Sequence, residues 1–186
     1  MNMIKRFLFV ALLMMAIVSL SAQEVNKEDY CKAYGQAIGS KSIENLQYLA
    51  FVDAYNRLYN LLREQSEHLI DVYVEKYGCS ELVKNQMKKH WLNVWVVAMK
   101  EVEVVDKTTF EVKNVRDDEI VVNNKVSIEA GVSKSKFSDI LDSIGNSFSS
   151  NDENELKKEQ GALEQYKAGN KFLVDYWKNF YNLKEL

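Results

Sequence analysis

The 186-residue chain contains no proline. Proline removes a backbone donor and breaks helices and inner strands, so its absence excludes a proline-rich linker and permits long unbroken elements. One folded unit after an N-terminal segment is the expected organisation. Histidine and cysteine are almost absent as well, two of each. Metal sites draw on clusters of His, Cys and carboxylate at set spacing, and His68 and His90 do not form one. Nor is there a basic excess or a basic block. With residues 1–22 removed, Lys5 and Arg6 go with them, leaving 22 basic against 27 acidic residues and a net charge of −5. Mild acidity of this kind argues against a nucleic-acid partner and against an anionic membrane surface.

What the chain does have begins at its N-terminus. Lys5-Arg6 precedes an apolar run, Phe7 to Leu20, closed by the small residues Ser21 and Ala22. That order is the layout of a secretory signal peptide, and the run falls short of the ~20 residues that span a bilayer. Residues 1–22 are therefore expected to be cleaved, with residues 23–186 as a single α+β domain. A lipid anchor would need its cysteine immediately after the cut. Cys31 lies well downstream, behind Lys27, Glu28 and Asp29, so no lipid anchor is expected. In an oxidising compartment the simplest reading of the two thiols is one disulfide, Cys31–Cys79. Two separate buried thiols are the alternative.

Periodicity orders the rest. Ala33 to Gly39 reads in two ways. As a helix it would carry two glycines at a cost of ~1 kcal/mol each; as a strand, the preferred reading, it alternates with a glycine-bearing face that admits a close neighbour. Ser40-Lys41-Ser42 is cap chemistry, and Leu46, Ala50, Ala54, Leu58 and Leu61 or Leu62 recur at helical spacing from Ile43 to about Gln65. The alternative is a helix that continues through Leu69, Ile70, Tyr73 and Tyr77 to Gly78, a natural stop. Ser80 opens a second helix with Val83, Met87, Trp91, Val94, Ala98 and Val102 on its buried stripe and His90 and Trp95 flanking it. From Val102 to Gly131 valine, threonine and isoleucine alternate between Asp and Asn clusters, the grammar of antiparallel strands. Asn123-Asn124 reads as a bulge or bend in one strand, with a hairpin turn as the alternative. Helix resumes near Ser133 or Ser135. Ser150 with Glu153 three residues on is a capping box, leading a long, charged last helix through Leu156, Leu163, Leu173 and Trp177. Strand, helices, strands, helices predicts α+β: a small antiparallel sheet of about three strands packed by helices.

The stretches YGQAIGSKSIENLQYLAFVDAYNRL, EVVDKTTFEV and VSIEAGVSKSKFSDIL resemble the Lpp-twenty-like family of small bacterial envelope proteins. In that family a glycine-punctuated strand leads into an alanine-marked helix, and later strands exit into helices. The resemblance covers roughly Tyr34 to the C-terminus and implies a cell-envelope address. Many members are lipid-anchored beside the signal peptide and this chain is not, which puts outer-membrane attachment by lipid in doubt. The family has no established catalytic residues, so the resemblance transfers none.

No catalytic, cofactor or metal site is expected. Glu64, Glu67, His68 and Asp71 share a helical surface that reads as a solvated face, and His90 beside Trp91 reads as a packing residue. Asp117-Asp118-Glu119 lacks the alternating ligands and glycine of a calcium loop and reads as a polar turn. Gly35-x-x-x-Gly39 is not a dinucleotide fingerprint. Aromatics are the remaining oddity: Tyr166, Phe172, Tyr176, Trp177, Phe180 and Tyr181 crowd the last helix. Core packing is one reading of them, and an exposed contact patch is the other. Three functions compete, in this order. The first is a non-enzymatic envelope protein acting through contacts with an envelope or periplasmic protein, in the periplasm or peripherally on the outer membrane. The second is a soluble periplasmic inhibitor of immunity type, and the third a hydrolase with scattered residues.

Overall fold

A computed structural model describes residues 29–116 and 119–183. Its elements are β1 (Tyr30–Gly39), α1 (Ile43–Tyr77), α2 (Glu81–Ala98) and a 3-10 turn (Met99–Glu101). There follow β2 (Glu103–Arg116), β3 (Glu119–Ser133), and α3 (Lys134–Ile140) running on into a π turn (Leu141–Gly145). Last come α4 (Ser150–Leu156) and α5 (Ala162–Phe180). The fold is α+β, with one antiparallel sheet packed by helices. The expected signal segment and the Asp117-Asp118 turn lie outside the described residues.

The strand order is β1-β3-β2, so β3 is central. β1 pairs with residues 124–133 of β3, from Gly39↔Asn124 to Tyr30↔Ser133. β2 pairs along all of β3, down to Arg116↔Glu119. The β2–β3 ribbon therefore runs on past the end of β1. Asn123 and Asn124 stand in unbroken register with Val112 and Glu111, so they form neither a turn nor a bulge. The bulge lies instead between Val104 and Asp106. A polar pair is tolerated there because that stretch is not buried.

The sheet alternates because strand side chains point alternately to opposite faces. Val126, Ile128, Ala130 and Val132 of β3 are buried on one face, beside Ala37, Gly35, Ala33 and Cys31 of β1. Helix α1 lies on this face. A Cβ at Gly35 would collide with the Ala50 carbonyl oxygen and the Ala54 backbone nitrogen. Only glycine on the strand and alanine on the helix allow so close an approach. The helix starts where Ser42 Oγ accepts the Asn45 N–H at 3.3 Å. It continues for 35 residues, because nothing in the sequence breaks it. Gly78, left-handed at φ 62°, stops it and donates its N–H to the Val74 carbonyl.

Beyond the sheet, α1 packs with α2 and α5 around three tryptophans. Trp95 stands with its ring centre 5.2 Å from both Trp91 and Trp177. Buried indole N–H groups need acceptors. Ser66 Oγ of α1 accepts from Trp95 Nε1 and from Trp177 Nε1, each at 3.1 Å. Trp91 Nε1 donates to Asn170 Oδ1 at 3.0 Å. The cap of α4 falls one residue earlier than expected. Ser149, not Ser150, accepts the N–H three residues on, from Asp152, and donates its hydroxyl to the Asp152 carboxylate. Leu156 at the end of this helix is buried. The last helix does not run continuously from Leu156. It restarts at Ala162 after a turn.

Candidate functional site

The face of the sheet opposite α1 carries Tyr34, Gln36 and Ile38 of β1, all exposed, and Phe110 of β2. Phe110, Lys125 and Ile38 stand in one row across the three strands. Phe110 is 55% and Ile38 57% exposed. Polar contacts knit the rest of the face: Tyr34 donates its hydroxyl to Ser127 Oγ at 2.7 Å, and Lys32 pairs with Glu129 at 2.8 Å. Past the end of β1, strand β3 is exposed on both faces at Ile120, Val121 and Val122. Ile120, at 69%, and Val122, at 48%, lie on the face that Val126 and Ile128 share, where α1 no longer reaches; Val121 is exposed on the other. Sequence reasoning missed these residues. Three consecutive aliphatics, Ile120 to Val122, ordinarily signal a strand buried on both faces, and only the length of β1 reveals otherwise.

The two edges of the sheet differ. On β1 the outward N–H of Gln36 is taken by Asp53 Oδ2 of α1 at 3.0 Å. Arg57 binds the other oxygen of the same carboxylate, also at 3.0 Å. Those two hydrogen bonds, Arg57 first, hold the Asp53 carboxyl below its ordinary pKa. Among the described residues β2 pairs with β3 alone.

The aromatic group on α5 is divided by the fold. Tyr166 and Trp177 are fully buried and so cannot belong to an exposed patch; facing the bundle, they are core. Phe172 and Phe180 are exposed, with Tyr176 and Tyr181 half-buried between. Phe180 stacks on Tyr176 at 5.9 Å, and Phe172 on Tyr73 of α1 at 5.6 Å. A shallow groove beside Phe172 is lined by Tyr73, Tyr77, Gln165 and Lys171. A second open groove between α1 and β2 is lined by Tyr48, Phe51, Val104 and Ile128.

The cysteines are not bridged; both thiols are free. Gly35 rests on Ala54, and Cys31 lies four residues along β1, roughly 13 Å away. From Ala54 to the end of α1 is roughly 35 Å, and Cys79 lies beyond that end. A disulfide needs Cα atoms within about 7 Å. Burial pushes the Cys31 thiol up to about 12, which leaves it protonated and unreactive. His68 is exposed and His90 buried, on different helices. The Nε2 of His90 is 3.1 Å from the Gly145 carbonyl, and burial lowers its pKa. Among the described residues no three of His, Cys, Asp and Glu gather as metal ligands would. No described helix is long and apolar enough to cross a membrane.

No family model matches the chain, and no curated protein or solved structure matches it either.

Proposed function

We propose that this chain is an exported, non-enzymatic cell-envelope protein of Gram-negative type that acts through protein–protein contacts. The observation that carries the reading is the uncovered end of the β2–β3 ribbon, with Ile120, Val121 and Val122 all exposed. Bare aliphatic side chains grouped on one projecting element mark a contact surface more often than an accident of folding. The export-type N-terminus supplies the address, and the resemblance of Tyr34 onward to Lpp-twenty-like proteins agrees with it. Core polar groups such as Ser66, Asn170 and His90 are engaged in packing the helices, which is a structural use for them.

The test is a photo-crosslinking side chain in place of Val122, in the full chain expressed in a Gram-negative host that is then fractionated. The chain is expected in the periplasmic or envelope fraction, with a discrete adduct to a different protein that Ile120→Asp abolishes. Retention in the cytosol, or a Val122 position that crosslinks to nothing, would sink the proposal. An adduct to one soluble protein in fixed ratio would move the reading to a neutralising binder.

A further inference from the structure

We infer that the open edge of β2 is a self-association site, at which a second copy of this chain adds its own β2 antiparallel about a two-fold axis at Val112. The inference goes beyond the proposed function: it concerns the edge of the ribbon, whereas the envelope contact uses its faces.

Strand geometry says which groups the edge offers. The N–H and C=O of a residue point to the same side of its strand, and opposed residues of an antiparallel pair alternate between bonded and non-bonded. Gln36 points its N–H away from β3, toward Asp53, so its opposite residue Ser127 points toward β2. Ser127 stands opposite Thr108, which therefore points inward. Thr109, Glu111, Lys113 and residue 115 then present their backbone groups outward. An unguarded edge of this length is a template for another strand. Among the described residues the sheet guards one of its edges with Asp53 and pairs no further strand with this one.

Charge selects the occupant and the register. In a two-fold pairing centred on Val112, Glu111 lies opposite Lys113 of the second copy, and Lys113 opposite Glu111 of the second copy. Both side chains are exposed and on the same face. Shifting the centre by one residue to Glu111 sets glutamate against glutamate, and shifting it to Lys113 sets lysine against lysine. Opposite charges directly across a strand pair stabilise it, and like charges destabilise it. A centre at Thr109 also pairs charges, Lys107 with Glu111, but its ladder meets the bulge between Val104 and Asp106. The Val112 register pairs Thr108 to Arg116 without meeting it. It also lies at the end of the sheet away from the groove where α1 flanks Val104 and Lys107.

Sedimentation equilibrium of the purified protein across micromolar to millimolar concentration tests this. Two-chain mass is expected at the upper end. Glu111→Lys and Lys113→Glu should each weaken the dimer by roughly tenfold or more, while the double exchange restores it. Lys107→Glu should leave it unchanged. Circular dichroism confirms that each variant is folded, and exchange of the Glu111 and Lys113 amides should slow as concentration rises. A protein monomeric throughout overturns the inference, its edge then free for a strand of some other protein. So does a dimer indifferent to the single exchanges, one that the double exchange fails to restore, or one that Lys107→Glu disrupts.

Discussion

Two halves of one strand make the most instructive comparison in this protein. Along β3 the even-numbered residues Val126, Ile128, Ala130 and Val132 are within 3% of complete burial, while Ile120 and Val122, in the same alternation on the same face, are half to two-thirds exposed. Residue type does not separate them, because isoleucine and valine occur in both halves. What separates them is cover: β1 ends at Gly39, opposite Asn124, and α1 leaves the sheet with it. Burial is a property of what lies over a side chain, and the strand itself carries no record of it. A bare half on an otherwise well-packed body is where contact with another molecule is expected.

The comparison can be broken at the covered half first. Gly35→Ala would force α1 away from the sheet, since the new methyl would meet helix backbone, which cannot swing aside as a side chain could. We expect a loss of about 3 kcal/mol, read from urea unfolding. A substitution that costs nothing would mean that the helix does not ride on this glycine.

Ser66→Ala comes next. It leaves two buried indole donors without their acceptor, at a cost of about 2 kcal/mol. Ser66→Thr, which keeps the hydroxyl, should recover part of it in the same measurement.

Histidine 90 sharpens the contrast through pH. Burial favours its neutral ring, so its folded pKa lies below the ordinary 6.5. As pH falls through about 6.5 the unfolded chain takes up a proton that the folded chain resists, and stability falls with it. The loss is complete once the folded value is passed. Urea midpoints compared between pH 7.5 and pH 5.5 should show the decline, and His90→Gln should remove the part due to this ring.

The smallest effect belongs to the bare half. Ile120→Thr with Val122→Thr should change stability by less than about 0.5 kcal/mol, as exposed substitutions do, while weakening the crosslinked adduct expected at position 122. A large destabilisation would show that the ribbon is buried in the protein as it exists in solution.

Much of the fold is legible in the residues. Ser42 and Gly78 bound α1, the alanines at 50 and 54 mark its close face, and Ser80 opens α2; each is local chemistry that acts within a few residues. Alternation through Val126, Ser127, Ile128, Glu129 and Ala130 identifies a half-buried strand for the same reason. The errors lie where two local readings are equally good. Serines 149 and 150 are both cap candidates in sequence, and only the folded helix shows that Ser149 takes the Asp152 N–H. Asn123-Asn124 has turn composition, yet β2 pairs straight through it. Cys31 and Cys79 are an even pair with nothing local to say that α1 holds them apart.

The candidate surface is the least legible part. The aromatics of α5 look alike in sequence, but Trp177 finds Ser66 and the interior whereas Phe180, three residues on, does not. Periodicity by itself determined that this chain makes a small antiparallel sheet with long helices, because capping, alternation and helical spacing are interactions between near neighbours. Which aliphatics stay bare, which sheet edge is guarded and whether the thiols can meet were decided only by the tertiary structure. Each depends on where one element ends relative to another, and no residue carries the length of its distant neighbour.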